Sequence, residues 1–249
     1  MAKDDEYIMS CFKDFVITRS VLISFYEMDA EQVASFNTNI LRVERNVNPN
    51  DFPDFVGESM YVEVFNVSSS KEKSKGAQYF KENTELEKRM EEALKLPDDP
   101  DERKRGKSYA ETLEYTGHSY DYWLSSLQRN IQSHKASRLK YSPNKNTEGV
   151  FLVRYSQKVL SYKDENDVEQ WHRLGVDKKA LSIIANELTG LIDYFILFNE
   201  KNSEAEVFPI TKIPSYLCSH KLDYNFYPRK GAGEIRIGIS EIIEPISFS

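Results

Sequence analysis

The stretch "DFPDFVGESMYVEVFNV", residues 51–67, decides the fold. It reads as two short apolar strands, yet each carries one carboxylate, Asp54 and Glu63, among Phe, Val, Met and Tyr. In a strand, residues two apart share a face, so Glu63 lies with Tyr61 and Phe65 while Val62 and Val64 face the other way. Pro53 cannot donate a backbone hydrogen bond and marks a strand start or edge. A buried carboxylate that stays ionised without a partner is costly, so it needs a basic partner, a raised pKa or a cation. If residues 52–56 and 60–67 are neighbouring strands, the two acids converge and make a hard-oxygen site suited to Mg²⁺. The competing reading makes Glu63 a structural acid paired with an arginine such as Arg42 or Arg45.

Outward from this stretch, the pattern is that of a mixed α/β chain. Residues 6–36 have helix-compatible periodicity, with Ile8, Cys11, Phe12, Phe15 and Val16 on one stripe. The later part, "VITRSVLISFY", suits a strand or a buried helix equally. "ILRVERN" (40–46) alternates like a strand, and "MYVEVFNV" (60–67) is the clearest strand of the first half. From Ser68 the chain reads as a charged amphipathic helix, and "PDDPDERKRGK" (97–107) as a solvent-exposed connection. A second long helix is expected over 109–139, broken near Gly117. "VFLVRYS" (150–156) is a strand, "DKKALSIIANELTG" (177–190) a helix ending at a glycine C-cap, and "LIDYFILFN" (191–199) a buried strand. The last fifty residues suit short strands or hairpins, with "GAG" (231–233) as a hairpin turn. This order predicts a central mixed sheet flanked by helices in one domain. Its core would be residues 6–67 and 108–199, with a helical insertion over 70–107 and a small β-rich C-terminal extension over 200–249.

Bulk properties narrow the function. The 249 residues carry a net charge of −7, which argues against wholesale coating of nucleic acid but leaves room for a local basic groove. Two cysteines, Cys11 and Cys218, have neither metal spacing nor a disulfide framework, which fits a reducing cytoplasm. No secretory core and no long apolar run occurs, so neither secretion nor a membrane partner is expected.

A Pro-Asp on one strand followed by an acid inside the next apolar strand resembles the PD-(D/E)XK nuclease-like superfamily. The order helix, three strands, helix, strand also looks like the core of that restriction-endonuclease-like fold. The resemblance implies that Asp54 and Glu63 ligate Mg²⁺ or Mn²⁺, with DNA preferred to RNA as substrate; a homodimer is an allowed assembly. The chain departs from the pattern at Phe65, where the family places a lysine two residues after the second acid.

The helix "YDYWLSSLQRNIQSHKASRLKY" (120–141) offers a replacement. Leu124, Leu127, Ile131, Lys135 and Leu139 follow one another by three or four residues, which puts Lys135 on an apolar stripe, with Gln128 close to that face. Members of the superfamily can supply the basic group from the helix after the third strand. Lys135 would then position the attacking water or neutralise charge on the phosphorane, assisted by Gln128. The bland reading of Lys135 is a lysine snorkelling at the helix edge. "IQSHKASRLKY", followed by "FLVRYS" and "LIDYFILF", also resembles uncharacterised bacterial members in which the third-strand acid is likewise followed by no lysine. Glu27, Glu31 and Glu44 are candidates for a further acid.

The basic segment "HKASRLKYSPNK" (134–145) places Arg138, Lys140 and Lys145 at a candidate phosphate-contacting edge, or at an ordinary helix C-terminus where cations meet the dipole. His134 follows about 100° away from Lys135 on the helix and is set aside, as are the other three histidines. Two functions remain in view. One is a metal-dependent endonuclease acting in restriction, defence or repair. The other is a nuclease-like fold without catalysis that binds nucleic acid or protein.

Overall fold

The computed structural model describes residues 2–18, 22–48, 51–70, 88, 107–114, 117–155, 159–199, 204–228 and 230–237. The expected helical insertion over 70–107 and its charged connection fall almost wholly outside the described residues. The chain is α/β: a mixed seven-stranded sheet is flanked by helices and accompanied by small antiparallel sheets.

In chain order the main elements are α1 (Ala2–Thr18), β1 (Ile23–Phe25), α2 (Ala30–Arg42), β2 (Glu44–Arg45), β3 (Phe55–Val56) and β4 (Met60–Asn66). They continue with β5 (Lys107–Glu114), α3 (Tyr120–Arg138), β6 (Glu148–Arg154), β7 (Leu160–Lys163) and β8 (Glu169–Trp171). The last are α4 (Lys178–Leu188), β9 (Tyr194–Asn199), β10 (Glu204–Pro209), α5 (Ile213–Ser219), β11 (Tyr227–Pro228) and β12 (Lys230–Ile237).

The large sheet has the order β1-β10-β9-β6-β4-β3-β2. Strands β2, β3 and β4 form an antiparallel meander, and β4, β6 and β9 run parallel. Parallel neighbours need long crossovers, here through α3 and α4. Both crossovers step the same way along the sheet, so a common hand lays both helices on one face. That face is filled by Tyr61 and Phe65 of β4, Phe151 and Val153 of β6, Trp123, Leu127 and Ile131 of α3, and Leu181, Ile184 and Leu188 of α4. The opposite face carries Val62, Val64, Val150 and Leu152 against Ile8, Met9, Phe12, Phe15 and Val16 of α1. The alternation expected for β4 is therefore realised, with Glu63 on the α3 side.

Local signals place the helix starts. Asp29 caps α2 by accepting from Gln32 N–H at 2.9 Å, and the Gln32 side chain accepts in return from Asp29 N–H at 3.0 Å. Ser119 caps α3 by accepting from Tyr122 N–H at 3.1 Å, and Asp177 caps α4 by accepting from Ala180 N–H at 3.0 Å.

One open reading is decided and three expectations are corrected. The periodicity over 6–36 spans two helices, Ala2–Thr18 and Ala30–Arg42, and of the two readings of "VITRSVLISFY" the strand is realised at its end, in the edge strand Ile23–Phe25. Residues 40–42 of "ILRVERN" close α2, since Ile40 is wholly buried on its apolar stripe with Phe36, and only Glu44–Arg45 is strand. Residues 109–114, expected to open a long helix, lie in the strand Lys107–Glu114, and the helix begins at Tyr120, where Ser119 caps it. "GAG" (231–233) lies inside β12, paired antiparallel with β5, and is no hairpin turn. The C-terminal region also contributes β10 to the main sheet and contains a helix, α5. No described helix is long and apolar enough to cross a membrane.

Candidate metal centre at the meander

The tight connection from β3 to β4 brings the two acids of the opening stretch together. Phe55 pairs with Val62 and Val56 with Tyr61, so Asp54 stands one step before the ladder, level with Glu63. Each acid holds the other's strand. The Asp54 N–H donates to Glu63 Oε2 at 3.2 Å, and the Val64 N–H donates to Asp54 Oδ2 at 2.8 Å. Glu63 is 7% exposed, and the side chain of Asp54 is 15% exposed.

Electrostatics at this pair are short of positive charge. Burial pushes the Asp54 carboxyl up to about 6, and the neighbouring charge of Glu63 adds to the rise. The Val64 N–H, Arg45 and His134 oppose it without cancelling it. Arg45 lies 3.7 Å from Asp54 Oδ1 and 3.8 Å from Glu6, so its charge is shared across the start of α1. Asp5, on the same turn of α1, is also raised to about 6, by burial first and by Asp54 second. The acid of the first helix whose charge couples to Asp54 is Asp5, whereas the largest influences on Asp54 do not include Glu27, Glu31 or Glu44.

The basic group that meets Glu63 comes from α3, and it is His134. Its Nδ1 lies 2.6 Å from Glu63 Oε1, and its ring stacks on Phe65 with centroids 4.5 Å apart and planes 13° apart. Lys135 turns instead to α4, where its ammonium donates to Glu187 Oε2 at 2.9 Å. Gln128 is exposed to solvent. The helical wheel explains the exchange. Trp123, Leu127 and Ile131 are wholly buried, and Leu139 is 62% exposed, so the inward stripe runs through residues 123, 127, 131 and 134. Relative to Leu127, residue 134 falls about 20° away, residue 135 about 80° and residue 128 about 100°. The wholly buried Trp123 was the signal that could have found His134, because it moves the centre of the stripe off Leu124 and Lys135.

The basic edge is partly committed elsewhere. Arg138 donates through Nε to Leu191 O at 3.0 Å and through Nη1 to Tyr141 O at 2.9 Å, and its guanidinium lies 5.5 Å from the Tyr61 ring centre. It is a clamp on the end of α3. Lys140 and Lys145 are exposed.

Two other buried acids make a useful contrast. Asp177, fully buried, accepts from Tyr120 Oη at 2.6 Å, His172 Nε2 at 2.8 Å and Ala180 N–H. Glu206 accepts from Leu174 N–H at 2.7 Å, Gly175 N–H at 2.9 Å and Tyr26 Oη at 2.9 Å. Their donors surround them, as expected of structural acids. Asp54 and Glu63 instead bring two carboxylates together, each with lone pairs to spare.

Among the described residues no group of three or more His, Cys, Asp or Glu side chains converges as a metal-holding set. Two carboxylates are what the pair itself offers, the number with which a hard cation such as Mg²⁺ can be held while it keeps most of its water. No protein-family model matches this chain, and neither a curated protein nor a solved structure matches it.

Proposed function

We propose that this chain is a metal-dependent nuclease of the PD-(D/E)XK type that hydrolyses phosphodiester bonds, with DNA the favoured substrate and restriction, defence or repair the setting. The observation that carries this reading is the convergence of Asp54 and Glu63 from neighbouring strands, with the Asp54 carboxyl raised to about 6. Two acids held this close favour a divalent cation, Mg²⁺ or Mn²⁺, because it relieves their repulsion. Such an ion, when bound, supplies a water of lowered pKa and screens charge on the phosphate. The protein's own residues do the rest. The backbone N–H groups of Asp54 and Val64 orient the carboxylates, Arg45 balances Asp54, and Lys140 and Lys145 lie on the exposed edge beyond α3.

A plasmid-nicking assay with and without Mn²⁺ tests the reading, run beside Asp54→Ala and Glu63→Ala. Metal-dependent nicking that vanishes in both variants supports it. Full activity in both would sink it.

A second reading has its own support. Phe65 stands where the family resemblance expects a lysine, and Lys135 is bound to Glu187. Under that reading the chain binds nucleic acid or a protein without cutting. Stable binding with no metal-dependent cleavage across several DNA and RNA substrates would favour it.

A further inference from the structure

We propose that His134 is the positioning residue of the acid pair, holding Glu63 in the orientation that a divalent cation requires, with Phe65 as the plate on which its ring rests. The inference rests on the metal-site reading above. A carboxylate only accepts, so the contact of His134 Nδ1 with Glu63 Oε1 at 2.6 Å is a donated hydrogen bond, whether the ring is neutral or charged. The other oxygen, Oε2, accepts from the Asp54 N–H at 3.2 Å. With one donor on each oxygen, the Glu63 carboxylate cannot rotate without losing a bond, and its remaining lone pairs stay available to a cation shared with Asp54.

The imidazole is itself fixed. It lies flat on Phe65, at 4.5 Å and 13°, and its centroid is 6.3 Å from that of Phe151 with the planes 74° apart. Phe65 is two residues beyond Glu63 on the same strand and so shares its face. The ring that rises beside Glu63 is therefore the surface that receives the imidazole from α3. A lysine at position 65 would take that place and leave His134 without its plate. The departure from the family pattern and the new partner of Glu63 are one structural substitution: an aromatic residue on the strand admits a histidine from the helix.

Hydrogen-bond partners of ligating carboxylates typically change metal affinity by 10–100-fold when removed. Calorimetric titration of the full chain with Mn²⁺ tests the proposal without recourse to cleavage. His134→Ala is expected to weaken Mn²⁺ binding by about 10- to 100-fold. His134→Asn, whose amide can keep an N–H near the place of Nδ1, is expected to recover most of the loss. Phe65→Leu should fall between them, since it keeps apolar bulk and removes the stack. In a Glu63→Gln background, His134→Ala should cost no further affinity.

Unchanged affinity in His134→Ala, or an equal loss in His134→Ala and His134→Asn, overturns the positioning role alone. Wild-type protein that binds no Mn²⁺ overturns the metal-site reading and this inference with it. If His134→Ala fails to fold by circular dichroism, His134→Asn and Phe65→Leu decide: a Phe65→Leu affinity equal to that of the wild type overturns the proposal.

Discussion

Asp54 and Glu63 hold one another's strands: the backbone N–H of Asp54 donates to the Glu63 carboxylate, and the Asp54 carboxylate accepts from the residue after Glu63. The pair is thus a structural fastening of the meander and a concentration of negative charge at once. These two roles pull stability in opposite directions as pH changes.

The Asp54 carboxyl sits above its ordinary value of 3.8, at about 6, mainly through burial and then through Glu63. The folded protein therefore holds this proton more tightly than the unfolded chain does. The resulting stabilisation is fully present below 3.8 and is lost as pH rises through about 6. Asp54→Asn should match the wild type near pH 4 and exceed it at pH 8 by on the order of 2 kcal/mol, allowing for partial solvent screening of the carboxyl. Thermal melts at the two pH values check this. A variant no more stable than the wild type at pH 8 would contradict it.

Lys135 and Glu187 join α3 to α4 through a bond of 2.9 Å between side chains about 30% exposed. Pairs with this exposure contribute under about 1 kcal/mol. Lys135→Ala should lower stability by no more than that and leave any Mn²⁺-dependent nicking within about twofold of the wild type, since it does not touch the acids. A loss of activity comparable to that of Glu63→Ala would return Lys135 to the catalytic set.

Asp177 is expected to be the most sensitive acid for folding. Its removal strips the α4 cap and leaves the half-buried Tyr120 Oη and the buried His172 Nε2 without their acceptor. Asp177→Ala should cost about 3–5 kcal/mol, measurable by urea unfolding. In variants that stay folded, Mn²⁺ affinity should be unaffected, because this network is separate from Glu63.

Gly149 pairs with Tyr61 across β4 and β6, and a Cβ at position 149 would stand 2.3 Å from the Tyr61 hydroxyl oxygen. Tyr61 cannot easily retreat, being packed against Phe52 and Tyr141 with Arg138 on its face. Gly149→Ala should therefore destabilise by about 1–3 kcal/mol through overpacking. A melt indistinguishable from that of the wild type would show that Tyr61 has room to move.

Much of the architecture is legible in the sequence. The alternation of Met60–Asn66, the apolar runs at 150–154 and 194–199, and the capped helix after Asp177 are local patterns, and local patterns survive folding. The strand Lys107–Glu114 is hidden from local sequence because it pairs with β12, more than a hundred residues away. The split of residues 6–36 depended on where the chain turns to reach the sheet edge beside β10.

The candidate site divides in the same way. Asp54 and Glu63 were visible as acids out of place in apolar strands, because period-two alternation is a property of the strand itself. The sequence by itself determined the strand Met60–Asn66, the face of it on which Glu63 lies and the absence of a lysine two residues later. Only the tertiary structure decided which basic group answers Glu63. That choice depends on a rotation of α3 by less than a quarter turn, set by the burial of Trp123 against the sheet, which turns His134 toward the acids and Lys135 toward Glu187.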